Sequence, residues 1–283
     1  MGMTITATDR PVGAVVTGVS LNHIPDADFM QLREVVYLRG VVAIKGQDLS
    51  QAEQVRFASR FGTLQKIFIK EALSTDYPEL FYVSNVIENG KPLGSMDAGR
   101  FWHTDGAYLK QPHNVSMLYA IEVPQRDGKA LGDTVFAGMG AAYDALPEPT
   151  KLRIDKLRAI HSLHHRYGVK TENAQEMAER TLAYPPVSHP LAIRHPQTGR
   201  RCLYLSEGYT TAIEGLPEAE GQALLRQLCE HVVSPQFQYR YAWEPGDLLI
   251  WDNRATLHRA TFDYEPMQRR VMRRATVAGE ALG

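Results

Sequence analysis

The sequence predicts an α+β protein, a barrel or jelly roll with flanking helices, and three observations carry that expectation. The C-terminal half contains several short stretches of strand character separated by turn signals. The N-terminal half contains two patterns of helical periodicity that suit helices covering a sheet. With 283 residues and 44% apolar content, the chain can bury a sizeable core, and a single domain over residues 1–283 is expected.

Taken in order, residues 13–19 read as a short β-rich entry. Residues 26–39 place Phe29, Leu32 and Val36 at helical spacing and end at Gly40. Residues 41–44 form an unbroken apolar run, hence a buried strand. Ser50 followed by Glu53 is a capping box, opening a helix through Val55 and Ala58 to Phe61, with Gly62 stopping it. A strand is expected over residues 80–86, followed by a turn-rich stretch at 88–94 that reads equally as a lid or an ordinary surface excursion.

Strands follow at 115–123 and from Thr134 through Phe136, then helices at 141–146 and 150–157. Residues 171–186 are polar and expected to be mobile. Strands at 191–194 and 202–205 flank a turn at 195–199. Residues 217–232 form an amphipathic helix with Pro217 in its first turn. Phe237, Tyr239, Tyr241 and Trp243 alternate with polar residues, the period of a half-buried strand, and an aromatic stripe of this kind fits a core better than a stacking platform for bases. Residues 248–251 are a further strand.

The bulk numbers exclude several classes. Lys and Arg total 31 against 32 Asp and Glu, a net charge of -1, so no global attraction to nucleic acid or to an anionic membrane is expected. Cys202 and Cys229 form no CxxC pair and no disulfide framework, which fits a reducing compartment. No apolar run approaches the roughly 20 residues of a bilayer span, and the first residues lack a basic segment followed by an apolar one. The expectation is a cytoplasmic protein.

Chemistry concentrates at residues 101–106, where His103 and Asp105 stand two apart between bulky aromatics and a glycine. On an extended strand such a pair shares one face, so both side chains can grip one ion while Thr104 points away. His258, beyond the Trp251-Asp252-Asn253-Arg254 stretch, is the candidate third ligand. Two histidines and one carboxylate on one side of a metal leave its other positions open, the arrangement of non-haem Fe(II) oxygenases. The run His161-Ser162-Leu163-His164-His165 fits a solvated face better than a metal tract, since no carboxylate or cysteine stands nearby in spacing.

Residues 269–274 carry four arginines in six positions. On a strand Arg270, Met272, Arg274 and Thr276 share one face, which places Arg270 and Arg274 inside the barrel as holders of carboxylates. A solvated face is the alternative.

In these motifs the chain resembles the taurine dioxygenase and 2,4-dichlorophenoxyacetate dioxygenase group of Fe(II)/2-oxoglutarate-dependent oxygenases. The likeness runs in order through residues 13–19, Arg60-Phe61-Gly62, Trp102-His103-Thr104-Asp105, Gly132-Asp133-Thr134, Trp251-Asp252-Asn253-Arg254 and residues 269–276. It implies a double-stranded β-helix (jelly-roll) core with flanking helices. It also implies Fe(II) on His103, Asp105 and His258, with 2-oxoglutarate as co-substrate and O2 as oxidant. Thr134 and an arginine near 270 would hold the distal carboxylate of 2-oxoglutarate. Family spacing from His258 gives Arg269, whereas the local pattern Arg-Arg-x-Met-x-Arg-Ala-Thr gives Arg270; Arg270 is preferred because it shares a face with Arg274 and an extra residue fits the turn after Asp263.

The resemblance further implies that Arg274 meets the anionic end of a small organic acid, with Tyr82, Lys66 and His165 as further substrate candidates. It implies self-association as a homo-oligomer, dimer or tetramer. Asp105 argues against a halogenase, whose relatives replace that carboxylate. Two departures set taurine aside: residues 62–68 lack the histidine of sulfonate-binding members, and Gly99 stands where they carry asparagine. Hydroxylation, cleavage and desaturation remain open. A non-catalytic barrel binding a small acid and a zinc hydrolase using the same ligands are the rival readings.

Overall fold

A computed structural model of the chain describes residues 2–66, 74, 76–96, 98–165 and 182–283. The helix Asp26–Arg39 places Asp26 and Asp28 in its first turn and Arg39 in its last, each charge opposing the nearer pole of the helix dipole. It ends at Gly40, whose N–H donates to the Val36 carbonyl. Ser50 and Glu53 form the expected reciprocal cap: Ser50 Oγ accepts from the Glu53 N–H at 3.3 Å, and Glu53 Oε2 accepts from the Ser50 N–H at 2.8 Å. The helix it opens is α-helical over Gln51–Ala58 and tightens to a 3-10 turn over Ser59–Phe61.

Among the described residues the largest sheet has seven strands, in the order Thr4–Ala7, Ala14–Thr17, Val41–Ile44, Leu248–Asp252, Val115–Glu122, Val271–Thr276, Leu80–Ser84. Only the Ala14–Thr17 and Val41–Ile44 pair is parallel. Five of the seven strands come from the first 122 residues. Four of those five overlap stretches expected as β-structure, at 13–19, 41–44, 80–86 and 115–123, whereas Thr4–Ala7 was not anticipated. Short four-residue strands such as Val41–Ile44 carry too little periodicity to reveal their partners.

Facing this sheet is a three-stranded one, Gln238–Tyr241, Thr134–Gly138 and Thr256–Ala260. Between them lies a core of Val41, Ala43, Leu118, Ala120, Leu249, Trp251 and Met272 against Phe136, Tyr241 and Trp243. Strand alternation then sends Val42, Ile44, Met117 and Ile250 outward, onto Phe29, Leu32, Val36, Phe57 and Phe61 of the covering helices. On the far side of the small sheet, Val135 and Ala137 pack with Leu224, Leu225 and Leu228 of the helix Glu218–Val232. Two sheets face to face with helices outside form the jelly-roll sandwich that the sequence implied.

Several bounds shift. The expected helices at 141–146 and 150–157 are Met139–Asp144 and Glu148–Ile154. The aromatic stripe is strand only over Gln238–Tyr241, because Pro235–Phe237 forms a 3-10 turn. The turn-rich stretch at 88–94 contains a tight hairpin between Ile87–Glu88 and Lys91–Pro92, with Asn89 and Gly90 at φ 51° and 76°. The expected mobile segment at 171–186 lies outside the described residues up to 181. No described helix is long and apolar enough to cross a membrane.

Ser50→Ala removes the cap on the helix that covers the large sheet, and should lower unfolding free energy by about 1 kcal/mol in urea denaturation.

Candidate metal centre

Main-chain pairing brings the first and last ligand candidates together. The His103 N–H donates to the His258 carbonyl at 3.1 Å, and the His258 N–H donates to the His103 carbonyl at 2.8 Å. His258 lies on Thr256–Ala260, where Phe136 is its partner on the neighbouring strand, and its ring stacks on that phenyl with centroids 5.9 Å apart. The His103 and His258 rings stand 4.2 Å apart.

Asp105 arrives differently from expectation. Beyond the single bridge at His103, the chain leaves extended structure and turns at Gly106. Gly106 has φ 72°, and a Cβ there would meet the His113 ring at 2.8 Å, so both conformation and space require glycine. Thr104 does point away, its hydroxyl donating to the Asn253 carbonyl.

The result is one buried cluster in which donor atoms of His103, Asp105 and His258 lie within 4.8 Å of one another. His103 Nε2 is 3.6 Å from Asp105 Oδ1, and His258 Nε2 is 3.8 Å from Asp105 Oδ2. His103 Nδ1 lies 2.8 Å from the Phe101 carbonyl, to which only a protonated Nδ1 can donate, and Nε2 faces the carboxylate. Burial penalises the Asp105 anion, yet Arg274, His258 and His103 together hold its carboxyl well below the usual range. Burial pushes His258 well down, with His103 and Arg274 adding to the effect. Two imidazole nitrogens and a carboxylate held ionised, all buried, are the donor set that Fe(II) takes.

The arginines separate clearly. Arg269 is exposed and grips Glu122 on the surface with two bonds, at 2.7 and 2.9 Å. Arg270 is 3% exposed, with Nε donating to the Gly132 carbonyl at 3.3 Å. A Cβ at Gly132 would stand 2.7 Å from that Nε, so glycine makes the cradle for the guanidinium. Among the described residues no carboxylate lies within ion-pair distance of Arg270, and burial lowers its pKa. A buried guanidinium without an anion is a site that an acid such as 2-oxoglutarate fits. Thr134 is buried two residues beyond Gly132 and accepts from Trp243 Nε1 at 3.1 Å. It shares a strand face with Phe136, hence with the His258 side.

Arg274 reaches the centre. Its Nη2 donates to Asp105 Oδ2 and to Ser116 Oγ, and its guanidinium lies 5.3 Å from the Phe81 ring centroid. Tyr82 does not join it. Arg274 pairs across the sheet with Phe81, while Tyr82 pairs with Arg273. Alternation therefore turns Tyr82 to the helix-covered face, where its hydroxyl is 3.3 Å from Gln51 Nε2. Phe81 is the aromatic that faces the site. Lys66 is exposed, one residue beyond Gln65, whose N–H donates to the Thr276 carbonyl. His165 is exposed and is the last described residue before 166–181.

Sequence reading missed three residues around Asp105. Ser116, Trp251 and Asn253 hydrogen-bond to it at 2.8, 3.2 and 3.3 Å. Ser116 had one visible signal, a hydroxyl inside the apolar run at 115–123. The histidine tract holds no metal cluster among the described residues. His161 is instead buried, its Nδ1 3.2 Å from Thr210 Oγ1 and its ring beside His189 and Tyr204.

A family model described as "Taurine catabolism dioxygenase TauD, TfdA family" matches residues 4–276. The chain is 40% identical over 253 residues to an alpha-ketoglutarate-dependent 2,4-dichlorophenoxyacetate dioxygenase of Burkholderia sp. (strain RASC), covering 85% of this chain and 82% of the relative. It is 35% identical over 282 residues to the (S)-phenoxypropionate/alpha-ketoglutarate-dioxygenase of Sphingobium herbicidovorans, covering 98% and 95%. Among solved structures, that of AAD-2 with Mn(II) and N-oxalylglycine superposes with a TM-score of 0.86 at 32% identity, covering all of both chains. The chain belongs to the TauD, TfdA dioxygenase family. It is an Fe(II)- and 2-oxoglutarate-dependent dioxygenase, and the readings as a passive acid-binding barrel or a zinc hydrolase give way.

Burial pushes His161 down from its ordinary 6.5 to about 3, with His189 adding to the effect. The unfolded chain therefore takes up this proton below about pH 6.5 while the folded chain refuses it until about 3. Stability present above 6.5 should be lost as pH falls toward 3, by about 1.4 kcal/mol per pH unit for this one group. Urea denaturation of wild type and His161→Phe at pH 7, 6 and 5 should show the shallower pH dependence in the variant.

Proposed function

We propose that this enzyme hydroxylates an aliphatic C–H bond of a small organic acid, with His103, Asp105 and His258 as the iron ligands. The convergence of those three buried donors within 4.8 Å carries the reading. Bound iron, with 2-oxoglutarate and O2, supplies the oxidising power that breaks the C–H bond, succinate and CO2 being the co-products. The chain's own residues do the remainder. Arg270 and Thr134 fix the distal carboxylate of 2-oxoglutarate, the guanidinium giving two parallel bonds and the hydroxyl a third. Arg274 meets the anionic end of the substrate and so sets which carbon faces the metal, while Phe81 packs against that guanidinium. Lys66 and His165, both exposed, are the further substrate contacts.

The names of the relatives support an acid carrying an aryloxy or similar group in preference to taurine. Gly99 supports the same choice. A Cβ there would stand 3.9 Å from His103 Cε1, so this position borders the metal ligand and offers no amide to a sulfonate. We place the enzyme in the reducing cytoplasm, which its two free cysteines support, and take it as a homo-oligomer with one catalytic domain over 1–283.

Anaerobic addition of Fe(II) and 2-oxoglutarate should produce a weak visible charge-transfer band that Asp105→Ala abolishes; a wild type without the band would sink the iron assignment. Screening aryloxyalkanoates, sulfonates and amino-acid derivatives for stimulated succinate release should single out carboxylates. Arg270→Ala should raise the KM for 2-oxoglutarate by about 10- to 100-fold, the worth of a charged hydrogen bond. Arg269→Ala should leave that KM within about twofold, since it removes only an exposed ion pair.

A further inference from the structure

The two oxygens of Asp105 have unequal surroundings. Oδ2 faces three protein donors: the Ser116 hydroxyl at 2.8 Å, the Trp251 indole N–H at 3.2 Å, and Arg274 Nη2. A carboxylate oxygen has two lone pairs, so three donors saturate it. Oδ1 takes no donor from the described residues other than His103, whose Nε2 stands 3.6 Å away.

The hydrogen bonds that produce this asymmetry have a fixed direction. Asn253 Oδ1 faces two N–H donors, the Asp105 backbone at 3.3 Å and Trp251 Nε1 at 3.0 Å. The oxygen of this amide must therefore face them, and its Nδ2 must face Ser116 Oγ, at 3.0 Å. Arg274 Nη2 also donates to that hydroxyl, at 3.0 Å. With two donors supplying its lone pairs, Ser116 has its single proton left to give, and Asp105 Oδ2 is the acceptor within reach. The polarity runs from Asn253 to Ser116 to Asp105. Asn253 is in turn held by its own backbone, its N–H donating to the Asn114 carbonyl at 2.9 Å and its carbonyl accepting from Thr104.

We infer that Ser116 and Asn253 are positioning residues that restrict Asp105 to a single metal-facing oxygen, Oδ1. The inference rests on the reading of His103, Asp105 and His258 as the iron triad. Without the Ser116 proton, Oδ2 loses a donor and the carboxylate is free to turn both oxygens to the metal. One coordination position fewer then stays open for 2-oxoglutarate and oxygen. Neither residue touches the metal, so their effect is read through Asp105.

The test is anaerobic titration of the full-length apo-enzyme with Mn(II) and Co(II), alongside apo thermal melting. Ser116→Ala should weaken metal binding by about 10- to 100-fold, the usual cost of losing a group that orients a ligand. Its Co(II) absorption spectrum should differ from that of wild type, because the carboxylate changes its mode of binding. Ser116→Thr keeps the hydroxyl and should restore affinity to within about threefold. Asn253→Ala, which leaves Ser116 in place without its fixed donor, should weaken binding in the same direction. Wild-type affinity and an unchanged Co(II) spectrum in Ser116→Ala, or in Asn253→Ala should Ser116→Ala fail to fold, would overturn the inference. Undiminished metal binding by Asp105→Ala would instead remove the triad reading beneath it, which keeps the two failures apart.

Discussion

Two main-chain hydrogen bonds, exchanged between His103 and His258, are the constraint on which the centre depends. A reciprocal pair of this kind fixes the separation of the two Cα atoms at about 5.5 Å, so both imidazoles leave the backbone toward one space. Because the pairing belongs to the backbone, neither histidine relies on a neighbouring side chain to approach the other. The loop that carries Asp105 has no such ladder and is secured by side chains, which is why Ser116, Trp251 and Asn253 crowd it.

Charge is arranged around this centre with equal economy. Arg274 neutralises the buried Asp105, and Arg273, on the opposite face, is satisfied by neutral acceptors, Gln54 Oε1 at 2.6 Å and the Leu49 carbonyl. Arg269 stays outside on Glu122. Arg270 and Arg273 are both buried without a carboxylate in ion-pair distance among the described residues, but Arg273 has two neutral acceptors while Arg270 has only the Gly132 carbonyl. Alternation on Val271–Thr276 sends Arg273 and Arg274 to opposite faces, while Arg269 and Arg270 lie just before that strand, next to the point where its partners slip from Glu122 to Ala120. The same chain segment thereby reaches the surface, the helix layer, the Gly132 turn and the metal centre.

Much of this was legible in the sequence wherever the signal is local. The stop at Gly40, the Ser50 cap and the amphipathic helix after Pro217 were read from neighbouring residues and stand as read. The His103, Asp105 and His258 set was legible as residue types, though Asp105 sits on a turn and not the expected strand. Legibility failed where the determinant is a partner far along the chain. Tyr82 and Phe81 cannot be told apart until the register against Arg274 is known, since a shift of one residue exchanges faces. Asn253 lies 148 positions from the backbone N–H it holds, and nothing near it announces that contact. The pairing order of the large sheet, though not most of its strands, was obscured for the same reason.

That separation also bears on how the protein is made. Closing so long a loop is entropically costly, and pairings of this kind form late as a chain folds. The ligand set therefore does not exist in a nascent or partly collapsed chain, where isolated histidines and carboxylates offer only weak, unselective chelation. Tight metal capture then waits for molecules whose sheets have closed, and an unclosed chain holds an ion only weakly.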